Sequence, residues 1–137
     1  MGQAPKQSWV TKSTYEVTPW GECKSWNTLH GISGKMIKIH EGKRTSLKFH
    51  RIRSEVFFIL SGVVSVDFGS SRTISTPEKY PMQNKVLRTG DVLNIQSECP
   101  YRLTALEDCT IIVVGDKDEC DPVRIEDDYG RSNVNKP

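Results

Sequence analysis

The sequence predicts an all-β chain closed into an antiparallel barrel or sandwich, and three observations carry this. Short runs rich in Val, Ile, Phe and Thr recur along most of the chain. Gly, Pro, Ser and Asp punctuate these runs at close intervals, and no stretch shows convincing helical periodicity.

In order, strands are expected over Cys23 to Leu29, Lys35 to His40, Ser46 to Ile52, Val56 to Leu60 and Val63 to Phe68. Four more follow at Lys85 to Arg88, Val92 to Ile95, Arg102 to Leu106 and Thr110 to Val114. The connections Gly31-Ile32-Ser33-Gly34, Glu41-Gly42-Lys43, Ser61-Gly62, Thr89-Gly90-Asp91 and Glu107-Asp108 hold the residues that reverse antiparallel strands. Ser70 to Asn84, with Pro77 and Pro81, reads as a long hairpin loop placed to cover the barrel mouth. The expected organisation is a flexible segment over 1–14, one domain over 15–131 with its insertion at 70–84, and a mobile end over 132–137.

Composition narrows the function. Hydrophobic residues make up 36% of the chain, enough for one packed core. Nineteen Lys and Arg against 17 Asp and Glu are interspersed rather than striped, so a nucleic-acid partner is not expected. No apolar run approaches the ~20 residues of a membrane helix, and the polar start lacks a secretory apolar segment, so a cytoplasmic protein is expected. Cys23, Cys99, Cys109 and Cys120 show no C-x-x-C spacing and are expected as free thiols, with Cys109 a small core residue.

Two stretches resemble the paired motifs of cupins. The first runs from Gly42 to Gly62 with His50 and Glu55 between them, and the second from Gly90-Asp91-Val92-Leu93-Asn94-Ile95 to Pro100-Tyr101. Three further pieces are similar to the cupin domain of type II mannose-6-phosphate isomerases, often fused in that family to a mannose-1-phosphate guanylyltransferase. They are Thr18-Pro19-Trp20-Gly21, the stretch Lys48-Phe49-His50-Arg51-Ile52-Arg53-Ser54-Glu55-Val56-Phe57, and Val123-Arg124-Ile125-Glu126-Asp127-Asp128-Tyr129-Gly130-Arg131. The resemblance implies a double-stranded antiparallel β-barrel, the cupin or jelly-roll fold, and a sugar-phosphate aldose-ketose isomerase. The match uses the whole chain, so no guanylyltransferase domain is expected.

The family's metal ligands are Gln, His, Glu and His, and the matching positions here are Lys48, His50, Glu55 and Tyr101. Residues two apart on a strand face together, so Lys48 and His50 share a face that a neighbouring strand brings to Glu55. Lysine is a cation without an acceptor, and Tyr ligates only as a phenolate, from a pKa near ~10. The expectation is therefore no cofactor, or a weakly held divalent ion of the Zn, Fe or Mn class at His50 and Glu55. Without an ion, the Lys48 ammonium is expected to pair with Glu55, with His50 and Tyr101 hydrogen-bonded around them.

The resemblance also makes Arg53 and Arg124 candidates for substrate binding and Arg131 for catalysis beside His50, Tyr101 and Lys48, since a guanidinium suits phosphate. The competing reading pairs Arg124 and Arg131 with Glu126, Asp127 or Asp128 at the surface. Trp9, Trp20 and Trp26 suit sugar stacking, or more cheaply core and dimer packing. His30 and His40 match no ligand position. Three functions follow: a sugar-phosphate isomerase with a degraded metal site, a metal-independent ketoisomerase or epimerase of nucleotide sugars, or a noncatalytic carbohydrate-binding cupin. The expected partners are a sugar phosphate or nucleotide sugar and a second copy of the chain.

Overall fold

The computed structural model describes residues 2, 4–26, 29, 31–116 and 121–130. Among the described residues eleven strands follow one another: β1 (Thr14–Thr18), β2 (Gly21–Trp26), β3 (Ile32–Ile39), β4 (Leu47–Phe49), β5 (Glu55–Ser61), β6 (Val63–Phe68), β7 (Gln83–Arg88), β8 (Val92–Ile95), β9 (Tyr101–Ala105), β10 (Cys109–Asp116) and β11 (Val123–Glu126). They form two antiparallel sheets, one in the order β1-β2-β3-β10-β5-β8 and the other β11-β4-β9-β6-β7. No helix among the described residues is long and apolar enough to cross a membrane.

Strand β5 shows why this sequence makes this layer. Glu55, Phe57 and Ile59 are buried while Val56, Phe58 and Leu60 are exposed, so successive side chains point to opposite faces. Across the sheet, Cys23, Ile37, Ile111 and Ile59 align as one inward row. Ile59, Val64, Val66, Ile111 and Val113 have no accessible surface, and burying each contributes about 1.5–3 kcal/mol. One end of the interior is thus a hydrocarbon core. Toward the other end, inward rows turn polar, through Ser25 and Lys35 to Ser33 and Glu55.

Glycine is required where strands meet closely. A Cβ on Gly62 would stand 2.2 Å from the Asp108 carbonyl oxygen, and its φ of 90° already favours glycine at the β5–β6 reversal. A Cβ on Gly21 would come within 1.9 Å of the Lys38 carbonyl oxygen, which explains why Trp20, at 8% exposure, is followed by the smallest residue.

The structure departs from the expected strands at its edges. The run Ser46 to Ile52 is a strand only over β4, and β1 and β11 were not expected at all. Both are edge strands, and every residue of β1 is exposed or half-exposed, so burial leaves no alternation to read. The insertion is a series of turns before β7 opens at Gln83. It packs at one rim, where Ser71, Ile74 and Ser75 share a cleft of about 260 Å³ with Phe49, Arg51 and Glu98. The expected mobile end at 132–137 lies outside the described residues.

The closing segment is fastened from outside the five-stranded sheet. Arg102 is 5% exposed; its Nε donates to the Thr45 carbonyl oxygen, and its two terminal nitrogens donate to Glu126 and Asp128. Arg44 also donates to Asp128, and Tyr129 Oη donates to the Arg44 carbonyl oxygen. Glu126 and Asp128 of this segment are therefore held by Arg102, and Asp128 by Arg44 as well.

Candidate functional site

Five strands converge on the polar end of the barrel. Lys48 on β4 lies directly opposite Tyr101 on β9 and Arg124 on β11, which sets the three on one face. Glu55 opens β5, and Lys35 on β3 pairs with the buried Val113, so its side chain also starts on the inward face. His50 follows β4, its carbonyl oxygen accepting the Glu98 N–H at 2.6 Å. Glu98 holds a φ of 72°, a left-handed conformation uncommon outside glycine, so the turn that grips His50 is strained.

Glu55 is the hub. One carboxylate oxygen accepts the Tyr101 hydroxyl at 2.7 Å and lies 3.2 Å from His50 Nε2, while the other accepts Arg53 Nε at 3.0 Å. Burial alone would raise this carboxyl's pKa. The His50 contact, the charges of Lys35 and His50, and the Tyr101 hydroxyl outweigh burial and hold it well below the usual carboxylate range. Tyr101 moves the other way: burial first, then the charge and hydrogen bond of Glu55, push its hydroxyl well above 10. It stays a neutral phenol. Phe57 packs edge-on against its ring at 5.3 Å between centroids, locking it in place.

His50 is held differently. Its side chain is 11% exposed, yet neither buried ring nitrogen has a hydrogen-bond partner among the described residues. Nε2 lies within ion-pair range of Glu55 but off the line of a hydrogen bond. A buried imidazole in this state is the chemically unspent group of the cluster.

The expected pairing of Lys48 with Glu55 is corrected: Arg53 makes that ion pair, and the Lys48 ammonium instead lies 5.8 Å from the centre of the Tyr101 ring. Two residues away on the same extended segment, Arg53 reaches Glu55 more directly and also donates to Ser33 Oγ and the Asp116 carbonyl oxygen. Arg53, expected to bind substrate, is thus engaged in shaping the site. The fork joins the β3, β5 and β10 ends. Arg131 and His30 lie outside the described residues, and His40 is exposed beyond β3. Trp20 belongs to the core, while Trp9 and Trp26 are half-exposed. Cys23, Cys99 and Cys109 are free, and Cys109 is buried as expected. Lys35 was missed by motif spacing, although its place two and four residues before Ile37 and Ile39 sets it on the buried face.

Two antiparallel sheets with a polar cluster at one end of the barrel define a cupin fold. The oxalate decarboxylase of Lactobacillus farciminis, in a formate complex, superposes with a TM-score of 0.67 at 15% identity, over 84% of this chain and 36% of that one. A deletion variant of the Bacillus subtilis oxalate decarboxylase gives 0.70 at 15% identity over 82% and 30%. KdgF from a Halomonas species gives 0.63 at 14% identity over 80% and 89%. The chain spans about a third of the length of those two decarboxylases. No protein-family model matches the chain. No curated protein matches it in sequence.

The Bacillus enzyme is described with Mn(II) centres. The residues here do not fit such an ion. Among the described residues, no group of three His, Cys, Asp or Glu gathers anywhere. Both oxygens of Glu55 already accept hydrogen bonds, Tyr101 keeps its proton, and Lys48 brings positive charge to a ligand position.

Proposed function

We propose that this chain is a metal-independent cupin that binds an anionic sugar, a sugar phosphate or nucleotide sugar, and moves a proton beside its carbonyl group. The observation that carries the reading is the buried His50, with both ring nitrogens free of hydrogen bonds, poised beside an ionised Glu55. The isomerase-like motifs around His50 and the closing segment point to the same chemistry. Lys35, Lys48 and Arg124 line the same end of the barrel and suit the anionic part of the ligand.

In this scheme the negative charge of Glu55, 3.2 Å from Nε2, favours the proton on that nitrogen, and Nδ1 takes the proton from the carbon next to the carbonyl. The C–H electron pair becomes the enolate double bond, and Lys48 stabilises the charge developing on oxygen. When the hydroxyl on the deprotonated carbon passes its proton to the former carbonyl oxygen by way of Lys48, return of the abstracted proton to the former carbonyl carbon isomerises the sugar. A proton taken instead from water on the opposite face of the deprotonated carbon, with His50 keeping the one it took, epimerises it. Tyr101, its hydroxyl committed to Glu55, is a positioning residue.

Incubating the full chain in deuterated water with mannose 6-phosphate, fructose 6-phosphate or a nucleotide sugar tests the scheme by NMR. Deuterium is expected at the carbon beside the carbonyl, and His50→Asn should abolish it while leaving the melting temperature close to that of the parent. No exchange with any of these sugars would end the catalytic reading. A noncatalytic binding role is favoured by one observation, the filling of the interior by Phe57 and Tyr101, each 2% exposed. It predicts a thermal shift with the same sugars and no exchange.

A further inference from the structure

A second group of polar side chains gathers at the rim, on the outer side of β4. Lys48 shares the inward face of that strand with the buried Tyr101 opposite it, so Phe49 beside it points outward. There Phe49, Arg51 and Glu98 line a cleft of about 260 Å³ with Ser71, Ile74 and Ser75 of the insertion. The polar groups of this cleft are unspent. Arg51 lies over the Phe49 ring, 5.7 Å from its centre. Although they share so small a space, the Arg51 guanidinium and the Glu98 carboxylate form no ion pair, and neither they nor the Ser71 hydroxyl make a hydrogen bond among the described residues. Glu98 is also held at a φ of 72°, and backbone strain outside glycine collects at ligand sites. A long irregular insertion that walls such a cleft is commonly functional.

The donor set selects a class of ligand. A free carboxylate beside a free guanidinium suits a ring edge that places a hydrogen-bond donor next to an acceptor, and Phe49 with Ile74 suits the flat face of that ring. A nucleobase has both features: an amino or imide N–H for Glu98, a neighbouring oxygen or ring nitrogen for Arg51, and a π-face for Phe49. A free sugar has no such face, and the Glu98 charge repels a lone phosphate. The cleft is smaller than the roughly 300–1,000 Å³ of sites that enclose a drug-sized ligand, so it takes part of one.

We infer that this cleft holds the nucleobase of a nucleotide sugar, which narrows the ligand of the proposed function and rests on that function for the sugar end. Phe49 precedes His50 in the chain, and the Glu98 N–H holds the His50 carbonyl oxygen at 2.6 Å. A base held here therefore sits just over the rim from His50, and its phosphates cross that rim toward Lys48.

Calorimetric titration of the full chain with AMP, GMP, CMP and UMP tests the inference, with ribose 5-phosphate supplying the same phosphate without a base. At least one nucleotide is expected to bind roughly tenfold or more tightly than ribose 5-phosphate, the worth of a base stack. Phe49→Leu keeps the bulk and removes the π-face, and Glu98→Gln removes the charge; each should weaken that nucleotide roughly tenfold. Circular dichroism and a cooperative melt confirm that each variant is folded. Equal affinity for ribose 5-phosphate and every nucleotide, no binding of any nucleotide at millimolar concentration, or unchanged affinity in either folded variant overturns the inference. Base binding without deuterium exchange would end the catalytic reading and leave the cleft its ligand, whereas exchange on a sugar phosphate without base binding would end this inference alone.

Discussion

Glu55 and Arg53 neutralise each other inside the barrel, each about nine-tenths or more buried, so removing one strands the other. Glu55→Ala is expected to cost about 3–5 kcal/mol, read as a lower urea midpoint. Because the folded-state pKa of Glu55 is depressed, its contribution is present above the unfolded value near ~4.3 and is lost as pH falls through the folded one. Urea midpoints from pH 6 downward should therefore decline, and Glu55→Gln should flatten that decline. Cys109 works at the other end of the scale. Burial pushes its thiol up to about 11, so stability present below the unfolded value is lost as pH rises toward about 11, and Cys109→Ala should flatten that loss. The meeting of His50, Glu55 and Tyr101 was legible because the motif resemblance sets them close together at the ends of strands. The partner of Glu55 was not, since a lysine two residues before His50 and an arginine two before Glu55 offer the same charge. Only the course of the chain between β4 and β5 decides for Arg53.

At the scale of elements, β5 sets the contrast between buried and exposed faces. Phe57→Ala should cost about 3–5 kcal/mol by opening a cavity against Tyr101, while Phe58→Ala on the outer face should leave monomer stability within about 1 kcal/mol. Strands with such alternation were readable from the sequence almost residue for residue, as Val63 to Phe68 and Val92 to Ile95 show. β11 was not, because Val123, Arg124 and Ile125 are all half-buried with no alternation and Glu126 is exposed and held by a distant side chain. Arg102 is the fastening point. Arg102→Ala should lower global stability by about 1–3 kcal/mol and first release hydrogen-exchange protection over β11. Arg44→Ala, on an exposed pair, should cost under about 1 kcal/mol.

For the whole molecule, the pairings β3 with β10 and β4 with β11 join residues far apart in sequence. Folding in the millisecond-to-second range is expected by stopped-flow fluorescence, since loop closure precedes most of the stabilising contacts. The all-β architecture was legible from short apolar runs between turn residues, and the cupin fold from the resemblance of the Gly42 to Gly62 and Gly90 to Tyr101 stretches to that family's motifs. The outward side of β5 was not, because an exposed Val or Phe reads in sequence like a buried one. The central claim is the proposed metal independence, with organic charges at the polar end of the barrel, Arg53 on Glu55 and Lys48 near the Tyr101 ring. Elemental analysis of the full chain, purified without chelators, tests it most directly. The account predicts far less than one transition-metal ion per chain, unchanged in His50→Asn. One ion per chain, lost on that substitution, would contradict it.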